Sequence, residues 1–144
     1  MGRAPTDFLG AEAWSGPYAR DVTDAVYEEL LRLSEIILGS GRPVVIDASF
    51  RTAAMRGAAS DLARRHGVPF TMIECTAPRE MIRERLAARG RSAAEESDAR
   101  SDLFDEFEQR FEAMDELLTS EHQQFDTSRP LEENRKRLEA MFEA

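Results

Sequence analysis

The run Pro43-Val44-Val45-Ile46-Asp47-Ala48-Ser49-Phe50 limits what this chain can fold into more than any other stretch. It is where an apolar, β-branched run leads directly into a carboxylate. Gly39, Gly41 and Pro43 stand before it, and a helical pattern follows. An apolar run of this length reads as a strand covered on both faces, as in a parallel sheet flanked by helices. Ligands of such sheets sit beyond the carboxyl ends of the strands. Asp47 falls at that end. An acid there can serve Mg²⁺, a substrate hydroxyl or both. The competing reading is an acid that ends the strand and caps the next turn.

Helical and strand-like segments alternate around this run. Val22, Val26, Leu30, Leu33 and Ile37 recur at helical spacing after Pro17, and Gly39 suits the helix end. The alanine-rich stretch from Arg51 to His66, closed by Gly67, predicts a second helix. Phe70 to Cys75 predicts a second buried strand. Pro78 to about Arg89 predicts a third helix with Met81, Ile82 and Leu86 inward. After a polar break, Ser97 reads as the N-cap of a long helix with Leu103, Phe104, Phe107, Phe111, Met114 and Leu118 as its stripe. Its other faces are acidic, with Arg110 the sole base between Asp102 and Glu121, and read as solvated. Gln123 to Ser128 predicts a short strand. Pro130 opens a last helix with Leu131, Leu138, Met141 and Phe142 inward. Strands alternating with helices predict an α/β domain with a mostly parallel sheet. Trp14 is expected to pin the irregular stretch 1–16 to this body.

Composition narrows the functional classes. The 144 residues suit one domain, 1–144, with a real core. No apolar run approaches the ~20 residues that span a bilayer, and Met1 to Pro5 lacks the apolar segment of a secretory signal. Cys75 is the sole cysteine, so no internal disulfide forms, which fits a cytoplasmic setting. Cys75 itself reads as a small buried hydrophobe. The net charge of −9 argues against a nucleic-acid partner. One Cys and two His give no zinc-ligand spacing. There is no Gly-x-Ser-x-Gly elbow, and nothing selects a glycosidase pair among the many acids.

Three groups could carry chemistry. Asp47 with Ser49 and Arg51 could orient a metal-bound water or accept a hydroxyl proton. Arg83, Arg85, Arg89 and Arg91 surround the break at Gly90, and their forks suit phosphate oxygens. The alternative for these is pairing with Glu80, Glu84, Glu95 and Glu96 on the surface. Asp126-Thr127-Ser128 could touch a nucleotide base, or cap the last helix.

These segments, in this order, resemble a known family. Val44-Val45-Ile46-Asp47-Ala48-Ser49-Phe50 is similar to the Val-Ile-Asp-Ala-Thr-Phe strand of small P-loop kinase-like ATP-binding proteins, the group related to zeta toxins and polynucleotide kinase. Ala13-Trp14-Ser15 and Val26-Tyr27 resemble the family's pattern ahead of that strand. Glu84-Arg85-Leu86-Ala87-Ala88-Arg89 resembles its stretch before the lid, and Ser97-Asp98-Ala99 its lid helix. Glu108-Gln109-Arg110-Phe111-Glu112, then Asp126-Thr127-Ser128 with Pro130-Leu131-Glu132, resemble the closing segments.

The resemblance implies a three-layer α/β/α domain, a lid-like region over about 89–100, and ATP with Mg²⁺ as cofactors. It implies catalytic roles for Asp47, Arg89 and Arg91, and substrate contacts for Ser49 and Arg51. It places Arg85, Thr127 and Ser128 on the nucleotide, and it assigns no protein metal ligand. The substrate would be a small molecule or nucleotide, with no membrane. One departure governs mechanism. No Gly-x-x-x-x-Gly-Lys-Ser/Thr occurs, and the sole lysine is Lys136. The chain is therefore expected to be the C-terminal two-thirds of such a domain, through truncation ahead of loss. Alone, it is expected to be inactive. Its open sheet edges would invite homo-oligomerisation, and the alternative function is a non-catalytic interaction module.

Overall fold

The computed structural model describes residues 20–89 and 104–143. Its elements run α1 (Arg20–Gly39), α2 (Ala53–Arg65), β1 (Met72–Thr76) and α3 (Arg79–Arg89), then a helix described over 104–109 (α4), β2 (His122–Asp126) and α5 (Leu131–Phe142). β1 and β2 pair in parallel, from Met72 opposite His122 to Thr76 opposite Asp126. The α/β class thus holds, with a two-stranded sheet among the described residues. Trp14, Ser97, Leu103 and Arg91 lie outside the described residues.

Local chemistry accounts for the helix ends. Thr52 caps α2, its hydroxyl accepting the Met55 N–H at 3.3 Å. Gly67 then takes φ +64°, a left-handed conformation open to glycine at little cost, and Val68 N–H closes onto Ala63 O at 3.1 Å. α1 ends at Gly39, as its sequence suggests. The left-handed glycine there is Gly41, at φ +77°. Pro130, with no side-chain cap, opens α5.

The core joins Tyr27, Phe50, Ala59 and Met72, with Leu31, Ile46, Ala48, Met55, Phe70, Met114 and Leu117 packed around them. This corrects the facing of α1. Tyr27, Leu31 and Ser34, spaced four and three apart, turn inward; of the expected stripe, Leu30 and Ile37 are half-buried, whereas Val26 and Leu33 are exposed. The phenol of Tyr27 finds a polar partner in the interior, so the helix turns that residue inward rather than an aliphatic stripe.

The run 43–50 is corrected more sharply. Its side chains alternate as in a strand: Val44, Ile46, Ala48 and Phe50 are covered, while Val45, Asp47 and Ser49 are open. It pairs with no strand among the described residues, and Val45 is 95% exposed rather than buried. Hydrophobic pattern selects an extended conformation, but a ladder needs a neighbouring backbone. Cys75 is likewise exposed: among the described residues β1 has a single partner strand, and the face bearing Cys75 and Ile73 is thinly covered. Leu131 and Phe142, expected inward, are 84% and 73% exposed. α5 docks instead through Leu138, Met141 and Arg137, whose guanidinium lies 4.5 Å from the Phe125 ring centroid.

The predicted helix to Leu118 stops near Arg110. Beyond it, tertiary partners take the backbone. Glu112 N–H donates to Arg51 O at 2.9 Å, and Ala113 O accepts from Arg56 at 2.8 Å. The acids of this segment stay open to solvent as expected, and several also hold arginines. Asp105 binds Arg79 and Arg83, Glu108 binds Arg79 at 2.6 Å, and Glu116 binds Arg56. Its aromatic stripe meets arginines too. Arg79 lies over Phe104, Arg51 over Phe107 and Arg56 over Phe111, at 5.2–5.6 Å from the ring centroids.

Candidate functional site

Two groups of predicted residues are assembled by the fold. The first sits at the carboxyl ends of both strands. Thr76 O accepts the Thr127 N–H at 2.7 Å and the Thr127 hydroxyl at 2.9 Å, tying the loop after β2 to the end of β1. Arg85 reaches across from α3, donating to Thr127 Oγ1 at 3.0 Å and to Thr127 O at 2.7 Å. Ser128 donates to Asp126 Oδ1 through its hydroxyl, at 2.6 Å, and through its backbone N–H, at 2.9 Å. These Ser128 bonds, with the charges of Arg129 and Arg85 behind them, hold the Asp126 carboxyl below its ordinary value. Asn134 of α5 donates to Asp126 O at 2.8 Å and fixes the loop from behind. So Ser128 does not cap α5. Its hydroxyl belongs to a turn that faces the ends of the sheet.

The second group follows the unpaired run. Asp47 and Ser49 share its outward side, and both are exposed. Ser49 Oγ lies 3.3 Å from Tyr27 Oη. Arg51 stacks on Phe107 at 5.2 Å. Between them Phe50 is buried at φ 43°, a backbone disfavoured for a residue with a side chain. Of the four arginines around residue 90, Arg85 joins the first group. Arg83 instead contacts both oxygens of Asp105 at 3.1 Å. Among the described residues, neither is paired with Glu80 or Glu84, and Glu95 and Glu96 lie outside them. Arg89 is the last residue of α3, and Arg91 lies outside the described residues.

Sequence reasoning missed the residue that links these parts. Arg56 is fully buried. Its guanidinium donates to Phe50 O at 3.0 Å, to Ala113 O at 2.8 Å and to both oxygens of Glu116. The Arg56 hydrogen bond is the main reason the Glu116 carboxyl is held below its usual range. A signal existed: Arg56, Ala59, Ser60 and Ala63 share one helical face, and three small residues mark it as closely packed. Glu74 was also overlooked. Its Oε2 lies 2.9 Å from His122 Nε2 and accepts from Gln124 Nε2 at 2.9 Å, across the strand pair.

Among the described residues, no group of three or more His, Cys, Asp or Glu could hold a metal ion. Mg²⁺ does not require such a cage, since it keeps several waters and takes one or two carboxylates beside nucleotide phosphates. The exposed Asp47 fits that mode, through the ion's water shell. No helix among the described residues is long and apolar enough to cross a membrane.

Comparison with known proteins agrees with this α/β arrangement. Residues 6–114 match a family model described as an AAA domain. Three uncharacterized proteins, one of Mycobacterium bovis and two of Mycobacterium tuberculosis, are each 34% identical over 89 residues. The match covers 62% of this chain and 17% of each relative, so it spans about a sixth of their length. No solved structure matches at a comparable level.

Proposed function

The chain belongs to the AAA domain family, a P-loop NTPase-like group with nucleotide-binding, kinase-like members, and we propose that it is the acceptor-side and base-side part of an ATP-dependent phosphotransferase domain. The observation that carries this reading is the grouping of Arg85, Thr127 and Ser128 at the carboxyl ends of both parallel strands. That is where open α/β sheets bind their ligands. Thr127 and Ser128 border the base. Asp47 accepts the proton of a substrate hydroxyl or orders the water shell of Mg²⁺. Ser49 and Arg51 contact the substrate. Arg89 and Arg91 act on the transferring phosphoryl group, where arginine forks suit its oxygens. The kinship with zeta toxins and polynucleotide kinase belongs to this proposal, as does a cytoplasmic setting.

The 144 residues contain no phosphate-loop motif, and Lys136, the sole lysine, stands on α5. On their own they are expected to show no kinase activity and to bind MgATP in the millimolar range or weaker. Titration of the ¹⁵N-labelled chain checks this. MgATP is expected to shift the amides of Thr76, Thr127 and Ser128, and Arg85→Ala is expected to abolish those shifts. A footprint centred elsewhere overturns the reading of the site. Micromolar affinity by calorimetry overturns the expectation of weak binding.

A second reading rests on Val45. Its 95% exposure, on an extended run that pairs with no strand among the described residues, favours an interaction or oligomerisation module in which another backbone completes the sheet. Light scattering on the purified chain is then expected to give a mass above that of one copy. A clean monomer removes this reading.

A further inference from the structure

Phe50 is the one non-glycine residue with a left-handed backbone among the described residues. Such a conformation persists only where the surroundings over-determine it, and it gathers at functional sites. Here both backbone groups of Phe50 are claimed by side chains of the two flanking helices, α1 and α2. Tyr27 Oη accepts its N–H at 2.8 Å, and Arg56 donates to its carbonyl at 3.0 Å. The Phe50 ring stands edge-on to Tyr27, with centroids 5.2 Å apart.

We propose that Tyr27 and Arg56 are positioning residues that hold the Ser49–Arg51 turn as a phosphate-recognition element. The inference rests on the phosphotransfer reading given above. In this arrangement Tyr27 Oη, which accepts from Phe50, uses its own proton as the donor to Ser49 Oγ, 3.3 Å away, a pair in which either hydroxyl can donate. Ser49 then has its hydroxyl proton to give outward, to a phosphoryl oxygen. Successive bonds of this kind polarise one another. Arg51 on the far side of the turn supplies positive charge, its guanidinium kept in place over Phe107. Asp47, on the same outward side as Ser49, accepts a hydroxyl of the same ligand. The ligand class is a molecule offering a hydroxyl beside a phosphoryl group. Arg56 also binds Ala113 O and Glu116, so it ties this turn to the segment that leads into β2.

The test uses the 144-residue chain with inorganic phosphate as the probe, at constant ionic strength. Phosphate is expected to move the amides of Ser49, Phe50 and Arg51 saturably. Tyr27→Phe keeps the ring and removes both hydroxyl contacts. It is expected to weaken phosphate about three- to tenfold, the effect of one ordinary hydrogen bond. Adding Ser49→Ala to that variant is expected to cost nothing more, since the two act as one relay. Arg56→Lys cannot fork between Phe50 and Ala113. It is expected to shift the Phe50 HN–Hα coupling away from its left-handed value. Unchanged phosphate affinity in folded Tyr27→Phe, or a full second loss on adding Ser49→Ala, overturns the proposal. If Tyr27→Phe does not fold, Ser49→Ala alone decides: unchanged affinity overturns the relay, and a loss supports it. The MgATP footprint at Thr127 and Ser128 is read separately. Its absence beside an intact phosphate response sinks the phosphotransfer reading alone. Its presence without the phosphate response sinks the positioning proposal alone.

Discussion

Arg56→Ala is expected to destabilise the chain by about 2–3 kcal/mol, since the guanidinium is buried and its hydrogen bonds include one to a charged partner, while Glu116 itself stays open to solvent. The reason is the number of groups it would orphan. Glu116 would lose both its hydrogen bonds to the guanidinium, and the carbonyls of Phe50 and Ala113 would lose a donor each. A buried acceptor left without a donor carries its full desolvation cost. The methylene stem and the contact over Phe111 would go as well. Against a total stability of about 5–15 kcal/mol for a domain, the loss is severe. Urea unfolding monitored by circular dichroism measures it. A shift below about 1 kcal/mol would mean that Arg56 is incidental to the fold, since that is the size of ordinary surface effects.

The same pair predicts an acid-side signature. Hydrogen bonding from Arg56 holds the Glu116 carboxyl below its usual range in the folded state. A lowered carboxylate contributes stability that is present above its unfolded pKa of about 4.3 and lost as pH falls through the folded value. The wild-type chain should therefore lose stability on acidification below that point. The slope is expected to flatten in Arg56→Ala, where the main cause of that lowering is gone. An acid limb identical in both proteins would contradict this.

Phe50→Ala is expected to cost about 3–5 kcal/mol, the usual loss for truncating a buried phenylalanine. Phe50 packs in the core with Tyr27, Ala59 and Met72, and its ring meets Tyr27 at an interplanar angle of 79°. The informative comparison is with Phe50→Gly. At most positions glycine is worse than alanine by about 0.5–1 kcal/mol. At φ 43° the order should invert, because alanine keeps the Cβ that crowds the left-handed backbone, at a cost of about 1–2 kcal/mol. Phe50→Gly is thus expected to be the more stable of the two by about 1 kcal/mol. If alanine proves equal or better, the turn has relaxed and is not held by Tyr27 and Arg56.

Much of the secondary structure was legible because its causes are local. α2 carries its own start and stop, with Thr52 before it and Gly67 after it. β1 follows an apolar run between Pro69 and Pro78, and α3 begins beside Pro78. The Asp126-Thr127-Ser128 turn is local too, because its donors and acceptors lie within three residues. What failed was non-local. Val44 to Asp47 has the pattern of a strand, but whether it pairs depends on a neighbour that no local pattern supplies. The long Phe-bearing helix ends early because Arg51 and Arg56, more than fifty positions upstream, take the hydrogen-bonding groups of Glu112 and Ala113.

Short-range periodicity, capping residues and turn residues determined the class of fold, the order of elements and the acid at Asp47. All of them act within one or two turns of backbone, so the sequence alone contains them. Tertiary structure alone decided which face of α1 is buried and that Phe50 is held left-handed. It also decided that the arginines at 51, 56, 79 and 83 meet the aromatic rings and acids between 104 and 116. Those pairings depend on which distant groups arrive at the same place. A buried guanidinium stays buried only where every partner arrives together.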